Sequence, residues 1–335
     1  MPGPRVTPAS PQAIETAVDE LRAGRCVAMP TETVYGLAAD GLDPAAVAGV
    51  FALKHRPAHD PLILHIPKPD AWTDVAAEMP DTARRLADRF WPGPLTLVLP
   101  RRPEVPDAVT AGLSTVGVRC PAHPVARDLL RAFGRPLAAP SANRFGSISP
   151  TRADHVAAEF ADADLLVLDA GPCERGMEST VVRPTHDGLD LLRPGAISAE
   201  AITEAAGVAP RVHASTSRPA TTDAQPAPGM LDRHYAPRTP LTLVAAADLP
   251  ATLDRLAGRL GLIADAATAE ECAGRFADVR ALAPTDAPEA AAAALYAAMR
   301  DLDAAELDRM VAVAWPAGGI GDAINDRLRR AAAPA

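Results

Sequence analysis

Short apolar runs alternate with amphipathic stretches over residues 1–206, the pattern breaks down between Gly207 and Pro240, and it then resumes to the end of the chain. This constrains the fold more than any other feature. Alternating strand and helix signals demand an α/β arrangement in which helices cover a sheet. An interruption rich in Pro, Ala, Ser and Thr with little apolar periodicity demands a connector. A chain of 335 residues also exceeds the usual single-core size, so two domains of roughly 100–200 residues each are expected. The predicted division is a first domain over 1–206, a linker over 207–239 and a smaller α/β domain over 240–335.

Local signals place the elements. Ser10-Pro11 is an N-cap followed by proline at the first helical position; Ile14, Val18 and Leu21 share one face, and Gly24 stops the helix. A strand follows from Cys26 to Met29. Asp43-Pro44 opens a second helix through Phe51 and Leu53, Leu62 to Ile66 is an apolar strand, and the helix Thr82 to Phe90 ends at Pro92-Gly93-Pro94. Strands are then predicted at Leu95 to Leu99, Val116 to Arg119, Leu137 to Ala139, Leu165 to Leu168, Thr180 to Arg183 and Leu189 to Leu192. Helices are predicted near Val125 to Phe133 and Ala153 to Phe160. In the second half, strands are expected at Leu241 to Val244, Leu260 to Ala264, Phe276 to Leu282 and Met310 to Trp315. Helices are expected at Leu249 to Leu256 and Glu289 to Leu302, with a closing helix from Gly321. Gly318-Gly319-Ile320-Gly321 lacks a full dinucleotide fingerprint and is a helix-start turn.

Composition narrows the function classes. Apolar residues make up 48% and charged residues 22%, the balance of a folded globular chain. A net charge of −9 argues against a whole-surface nucleic-acid binder, which needs excess Lys and Arg on one face, but leaves room for a local basic pocket. Cys26, Cys120, Cys173 and Cys272 lie far apart, so neither a disulfide framework nor a zinc ribbon is supported, and a reducing cytoplasm is expected. Met1-Pro2-Gly3-Pro4-Arg5 has no apolar run behind it, and no uncharged apolar stretch of about 18 residues occurs, so neither secretion nor membrane spanning is expected. Of 33 basic residues only Lys54 and Lys68 are lysines. A lysine kept where arginine prevails points to a need for a compact ammonium, which a planar guanidinium does not imitate.

Several polar strand ends could carry chemistry. Pro30-Thr31-Glu32-Thr33-Val34-Tyr35-Gly36 follows a buried strand, where α/β sheets place ligand-contacting loops; taken alone it is equally a strand-to-helix turn with Thr31 and Thr33 as caps. Lys54-His55-Arg56-Pro57 ends the second helix. Its cations suit either the helix dipole or a phosphate site built without a Walker loop. His55, His59, Asp60 and His65 invite a metal reading, but Pro57 disrupts the pairing of His55 with His59, and no metal site is expected. Pro140 to Thr151 is dense in hydroxyls and amides that could cradle phosphate, or simply cap the next helix. Within the connector, Gly229-Met230-Leu231-Asp232-Arg233-His234-Tyr235-Ala236-Pro237 carries aromatic, basic and imidazole groups that a plain spacer does not need.

Taken in order, the Pro30–Gly36 stretch, Lys54-x-Arg56-Pro57 with Pro61-Leu62-Ile63, Trp91-Pro92-Gly93-Pro94-Leu95-Thr96, Thr115-Val116-Gly117-Val118-Arg119, Pro140-Ser141-Ala142-Asn143 and Glu178-Ser179-Thr180 resemble the YrdC-like threonylcarbamoyl-adenylate synthases. The resemblance covers about residues 10–205, and His234-Tyr235-Ala236-Pro237 with the second α/β unit resembles that family's long form. It implies a twisted, open, mixed sheet with helices, plus a smaller Rossmann-like α/β domain. It implies a reaction of L-threonine, bicarbonate and ATP, with Mg2+ on the phosphates, giving threonylcarbamoyl-adenylate and pyrophosphate. A downstream tRNA threonylcarbamoyl-transfer complex is the implied partner.

Carried over by residue, the resemblance assigns L-threonine to Thr33, His65, Arg119, Ala139 and Ser179, and ATP to Arg56, Thr115, Ser141, Ser149, Arg193 and Tyr235. Lys54, Arg56, Ser141 and Asn143 match the family's basic and polar tetrad. His59-Asp60-Pro61 departs from a pattern that usually has Asn, and a carboxylate would repel phosphate, so Asp60 is left out. The implied rivals are a carbamoyl-adenylate-forming transferase, whose zinc-finger and acylphosphatase-like segments do not appear here, and an RNA-binding module, disfavoured by acidity. Lys54 and Arg56 are expected to line a wet pocket, and the Tyr235 segment to fold back as a lid.

Overall fold

The computed structural model describes residues 3–213, 224–230 and 233–334. The first unit contains strands β1 (Arg5–Pro8), β2 (Val27–Met29), β3 (Gly36–Asp40), β4 (Ile63–His65), β5 (Leu95–Pro100), β6 (Thr115–Arg119), β7 (Leu137–Ala138), β8 (Leu166–Asp169), β9 (Thr180–Thr185), β10 (Gly188–Arg193) and β11 (Arg211–Val212). Its α-helices are α1 (Pro11–Arg22), α2 (Pro44–Lys54), α3 (Asp81–Phe90), α4 (Asp107–Thr110), α5 (Pro124–Phe133), α6 (Ala153–Glu159) and α7 (Ala199–Ala206). These strands form one mixed sheet in the order β1-β8-β2-β3-β7-β4-β6-β5-β9-β10-β11. The expected α/β class and twisted mixed sheet are found.

Period-two alternation puts a core on each face of the sheet. Val27 and Met29 of β2 and Ala38 of β3 join the cluster under α1 and α5, with Leu21, Leu129 and Phe133. Ala28, Leu37 and Ala39 face the opposite way, into the larger cluster with Val47 and Val50 of α2, Leu86 of α3 and Ile202 of α7. The caps act as anticipated: Ser10 Oγ accepts from Ala13 N and Asp43 Oδ1 from Ala45 N.

Strands β3 and β1 and the loop before β3 depart from expectation. Pro30–Gly36 is not a strand-to-helix turn; it joins β2 to β3, which pair antiparallel. Strand β3 has the sequence Gly-Leu-Ala-Ala-Asp and was hidden because glycine, alanine and aspartate are poor strand formers; complete burial between neighbouring strands overrides that preference. Edge strand β1, with an exposed and proline-ended sequence, was likewise not anticipated.

The second unit holds β12 (Leu241–Val244), β13 (Leu260–Ala264), β14 (Asp278–Ala281) and β15 (Arg309–Val313), all parallel, in the order β12-β15-β13-β14. Helices α8 (Leu249–Leu253), α9 (Ala266–Cys272), α10 (Pro288–Asp303) and α11 (Ile320–Ala331) complete it. Helix α9, capped by Asp265 on Ala267 N and Thr268 N, was not anticipated.

The two units share a core. Val34, Ile148 and Met177 of the first are buried in one cluster with Leu295, Tyr296 and Met299 of α10 and Ile324 and Leu328 of α11. At this seam Gly176 adopts φ +59°, and a Cβ there would lie 2.3 Å from the Ala293 carbonyl oxygen. Both the left-handed backbone and the close helix approach require glycine. Gly176→Ala is therefore expected to destabilise the protein by about 2 kcal/mol or more, read as a lower urea midpoint, because strain and overpacking act together.

Candidate active site

Strand ends from several parts of the large sheet converge on one pocket, a cavity of about 50 Å3. β4 brings His65, β6 brings Arg119, the turn after β2 brings Thr33, and β10 ends on Arg193. Arg56 enters from the loop after α2, Ala139 and Ser141 follow β7, and Ser179 precedes β9. Gly229, His234 and Tyr235 of the connector complete the lining.

Each side chain is held in place. Thr33 Oγ1 lies 2.9 Å from Thr31 Oγ1, which also donates to Val34 O at 2.6 Å. Arg119 Nη2 donates to Glu32 Oε1 at 2.6 Å, and Glu32 Oε2 accepts from Ala122 N and His123 N. Burial pushes the Glu32 carboxyl up, but the Arg119 guanidinium more than offsets this and leaves it below its ordinary value. Ser179 Oγ is 2.7 Å from Thr96 Oγ1, and Arg193 donates to both Ser179 O and Ser179 Oγ. Arg193 Nη1 also donates to Pro228 O, which ties the connector to the pocket.

His65 is neutral over the physiological range, because burial first and Arg119 second lower its pKa to about 3. Among the described residues its Nδ1 has no hydrogen-bond partner, nor have His234 Nδ1 and Tyr235 Oη, and all three side chains line the cavity. Buried polar atoms without partners at the wall of one cavity mark a place for a polar ligand.

The expected site residues separate into two groups. Thr33, Arg56, His65, Ala139, Arg119, Ser141, Ser179, Arg193 and Tyr235 all line the cavity. Lys54, Asn143, Thr115 and Ser149 do not. Lys54 does not face a wet pocket: it is 1% exposed, donates to Ser141 O at 2.6 Å and is bound to Asn143 O as well. It holds the loop after β7 from behind, and burial pulls its pKa well below the ordinary lysine value. Asn143 Nδ2 likewise donates within the loop, to Arg144 O and Ser147 O. Thr115 lines a neighbouring cavity of about 10 Å3 that shares Leu62 and Pro228 with the first.

Asp60 is fully buried behind Arg56 and does not line the cavity. Arg56 Nη2 lies 3.0 Å from Asp60 Oδ1, yet neither carboxylate oxygen accepts an aligned hydrogen bond. Arg56 is aligned instead on the carbonyls of Asp60 and Pro61, at 3.0 and 2.7 Å. Burial raises the Asp60 pKa, only partly countered by Arg56.

Sequence reasoning missed Glu178 as a site residue. It lines the cavity, accepts from Ser149 Oγ at 2.6 Å, and accepts on Oε2 from Tyr296 Oη at 2.8 Å and Arg327 Nε at 2.9 Å. Burial opposes its charge, but Arg327, Arg193 and these hydrogen bonds prevail and lower its pKa to about 2. Adjacency to Ser179 was the available signal; the partners from 118 and 149 residues away were not readable.

Three buried guanidinium groups, clustered hydroxyls and a neutral imidazole line one cavity at the strand ends of an α/β sheet, where such folds bind small ligands. Residues 19–195 match the Sua5/YciO/YrdC family model, described as telomere recombination, and residues 197–333 match one described as threonylcarbamoyl-AMP synthase, C-terminal domain. The chain belongs to this family of threonylcarbamoyl-AMP synthases, ATP-using enzymes of the nucleotidyltransferase type. It is 39% identical to the threonylcarbamoyl-AMP synthase of Pyrococcus abyssi, over 95% of this chain and 93% of that one. Identity to the Bacillus subtilis enzyme of the same name is also 39%, over 95% and 92%. The crystal structure of P. abyssi Sua5 complexed with L-threonine covers 99% of this chain and 97% of its own, with a TM-score of 0.87 and 38% identity.

The Glu178 linkage has a defined sign. Its folded pKa lies below the ordinary 4.5, so its stabilising effect is complete above pH 4.5 and is lost as pH falls through about 2. Glu178→Gln is expected to lower the urea midpoint at pH 7, and that deficit should shrink steadily between pH 4.5 and pH 3. A deficit independent of pH would show that the charge is not what Arg327 requires.

Proposed function

We propose that this chain joins L-threonine, bicarbonate and ATP into threonylcarbamoyl-AMP and releases pyrophosphate, supplying a downstream complex that modifies tRNA in the cytoplasm. Among the described residues, no helix is long and apolar enough to cross a membrane. The observation that carries the reading is the convergence of Arg56, Arg119 and Arg193 on one cavity with Thr33, Ser179 and neutral His65. The likeness to a relative described as complexed with L-threonine supports it. The division at 206/207 and 239/240 is kept as part of the proposal.

The chemistry requires such a pocket. The threonine amine captures bicarbonate or CO2 as a carbamate, and the anionic carbamate oxygen attacks the α-phosphorus of ATP while pyrophosphate leaves. Like charges must meet, and on a chain of net charge −9 only a focused cationic cavity allows it. Thr33, His65, Arg119, Ala139 and Ser179 are proposed to hold L-threonine. Arg56, Thr115, Ser141, Arg193 and Tyr235 are proposed to face ATP, with Ser149 acting through Glu178. Lys54 and Asn143 are proposed to shape the Ser141 loop. Hydroxyl partners left unmatched by a smaller amino acid would give specificity for threonine.

Mg2+ fits this reading as an ion carried by the ATP phosphates, where it would neutralise charge. Among the described residues, no group of three His, Cys, Asp or Glu side chains is placed to hold a metal. The oxygens of Glu178 already accept three hydrogen bonds.

A cavity of about 50 Å3 has room for a few waters but not for a nucleotide. Pro228 walls both this cavity and the one at Thr115, so outward movement of the connector would merge them into a longer cleft. The Tyr235 segment thus serves as a lid that keeps water from a hydrolysable mixed anhydride.

Pyrophosphate release measured with each substrate omitted in turn tests the reaction: release should need ATP, bicarbonate and L-threonine together, and indifference to threonine would sink the proposal. Tyr235→Ala should raise the fraction of adenylate lost to hydrolysis. Arg56→Ala should reduce turnover by roughly a hundredfold, on the scale of losing one preorganised charge donor. Lys54→Ala should also cost about 2–3 kcal/mol of stability in urea unfolding, since it strands two carbonyls behind the pocket.

A further inference from the structure

We propose that the second unit completes the catalytic pocket: Arg327 of α11 and Tyr296 of α10 are positioning residues that fix the strand ends bearing Ser179 and Arg193 and hold Tyr235 over the substrates. The inference rests on the reading of this pocket as the adenylating site. It assigns a role to the C-terminal unit.

Arg327 is fully buried, which a guanidinium tolerates only when paired. Its Nε donates to Glu178 Oε2, and its Nη2 donates to Pro194 O at 2.9 Å. Glu178 immediately precedes Ser179, and Pro194 immediately follows Arg193. One guanidinium from the second unit therefore clips two strand ends of the first, and these carry a hydroxyl and a cation of the pocket. Asp326 Oδ2 accepts from Nη1 at 2.7 Å and aims the group from its own helix.

The same pair of residues grips the connector. The Tyr235 ring stacks on Tyr296 with centroids 5.7 Å apart and planes at 28°, and the Arg327 guanidinium carbon lies 5.0 Å from the Tyr235 centroid. Tyr296 Oη donates to Glu178 as well, so Tyr296, Arg327, Glu178 and Tyr235 form one buried network. Tyr235 Oη, without a hydrogen-bond partner among the described residues, is left at the cavity wall. The small parallel sheet has its own apolar core, with Val244, Leu262, Ala264 and Val311. Arg327 reaches across from this unit to Glu178 and the Pro194 carbonyl of the first.

Amide hydrogen exchange on the full-length chain tests this without relying on activity. The Ala236 N–H donates to Gly146 O at 2.7 Å and reports whether the Tyr235 segment is seated. Arg327→Met keeps most of the side chain's bulk but removes the clip, and should speed exchange at Ala236 by roughly tenfold. Tyr296→Phe keeps the stack, loses one charge-assisted bond, and should give a smaller increase of about threefold. Protection in β15 should stay at the wild-type level in both. If Arg327→Met does not fold, Tyr296→Phe carries the test.

Kinetics supply the second readout. Arg327→Met should raise the KM for L-threonine by about tenfold, with partial recovery in Arg327→Lys, as expected of misplaced binding groups. Unchanged exchange at Ala236 in every folded variant would overturn the proposal, as would a lowered kcat with the KM for L-threonine at wild-type level. A wild-type protein inactive in pyrophosphate release, with Ala236 still loosened by the variants, would refute the substrate assignment while supporting the clip.

Discussion

The contact on which most of the structure depends is the buried ion pair between Glu178 and Arg327, at 2.9 Å. Neither charge could be buried alone, since an unpaired ion in a low-dielectric interior costs several kcal/mol. Together, with Ser149, Tyr296, Asp326 and the Pro194 carbonyl, they are satisfied. The pair ties two α/β units into one body and sits directly beneath the connector. Loosening it would disturb the domain seam, the strand ends and the Tyr235 segment at once. Such a pair adds little to net stability against an apolar replacement, but removing one partner leaves a bare buried charge and is strongly destabilising.

The pocket shows how an acidic protein presents positive charge. Arg119 is anchored on Glu32, Arg56 on the Asp60 and Pro61 carbonyls, and Arg193 on the Ser179 and Pro228 carbonyls. Arg119 and Arg56 each have a carboxylate beside them, Glu32 and Asp60, whereas Arg193 is held by backbone carbonyls and a hydroxyl, which orient a guanidinium without cancelling its charge. Lys54 works one layer behind, where a compact ammonium reaches two carbonyls of the Ser141 loop at once. That geometry is a reason for lysine here in a chain that otherwise uses arginine.

Much of the fold was legible because local and global preferences agree. The α1 and α2 starts were readable from Ser10-Pro11 and Asp43-Pro44, since the capping chemistry is contained within a few residues. Where burial between strands overrules propensity, as in Gly36–Asp40, the sequence is silent: the Pro30–Gly36 stretch reads equally as a ligand-contacting loop or a turn into a helix, because nothing local reveals that β3 is flanked on both sides. The site was legible as a set of residue types at strand ends. Which of them face the cavity was not, because that depends on how the loops after α2 and β7 fold against each other. Lys54 and Arg56, two residues apart, ended on opposite sides of the pocket wall.

By itself, then, the sequence determined the α/β alternation, the helix caps and the inventory of polar groups, all set by interactions spanning a few residues. Tertiary structure alone decided that Glu178 belongs to the site, that Lys54 lies behind it, that Asp60 is sealed under Arg56, and that the connector's Tyr235 stacks on a ring from the last domain. Those outcomes are set by burial and by electrostatic pairing between groups more than a hundred residues apart in several cases. No local pattern encodes which distant partner will satisfy a buried charge. Only the packed chain, in which an unpaired buried charge is costly, decides it.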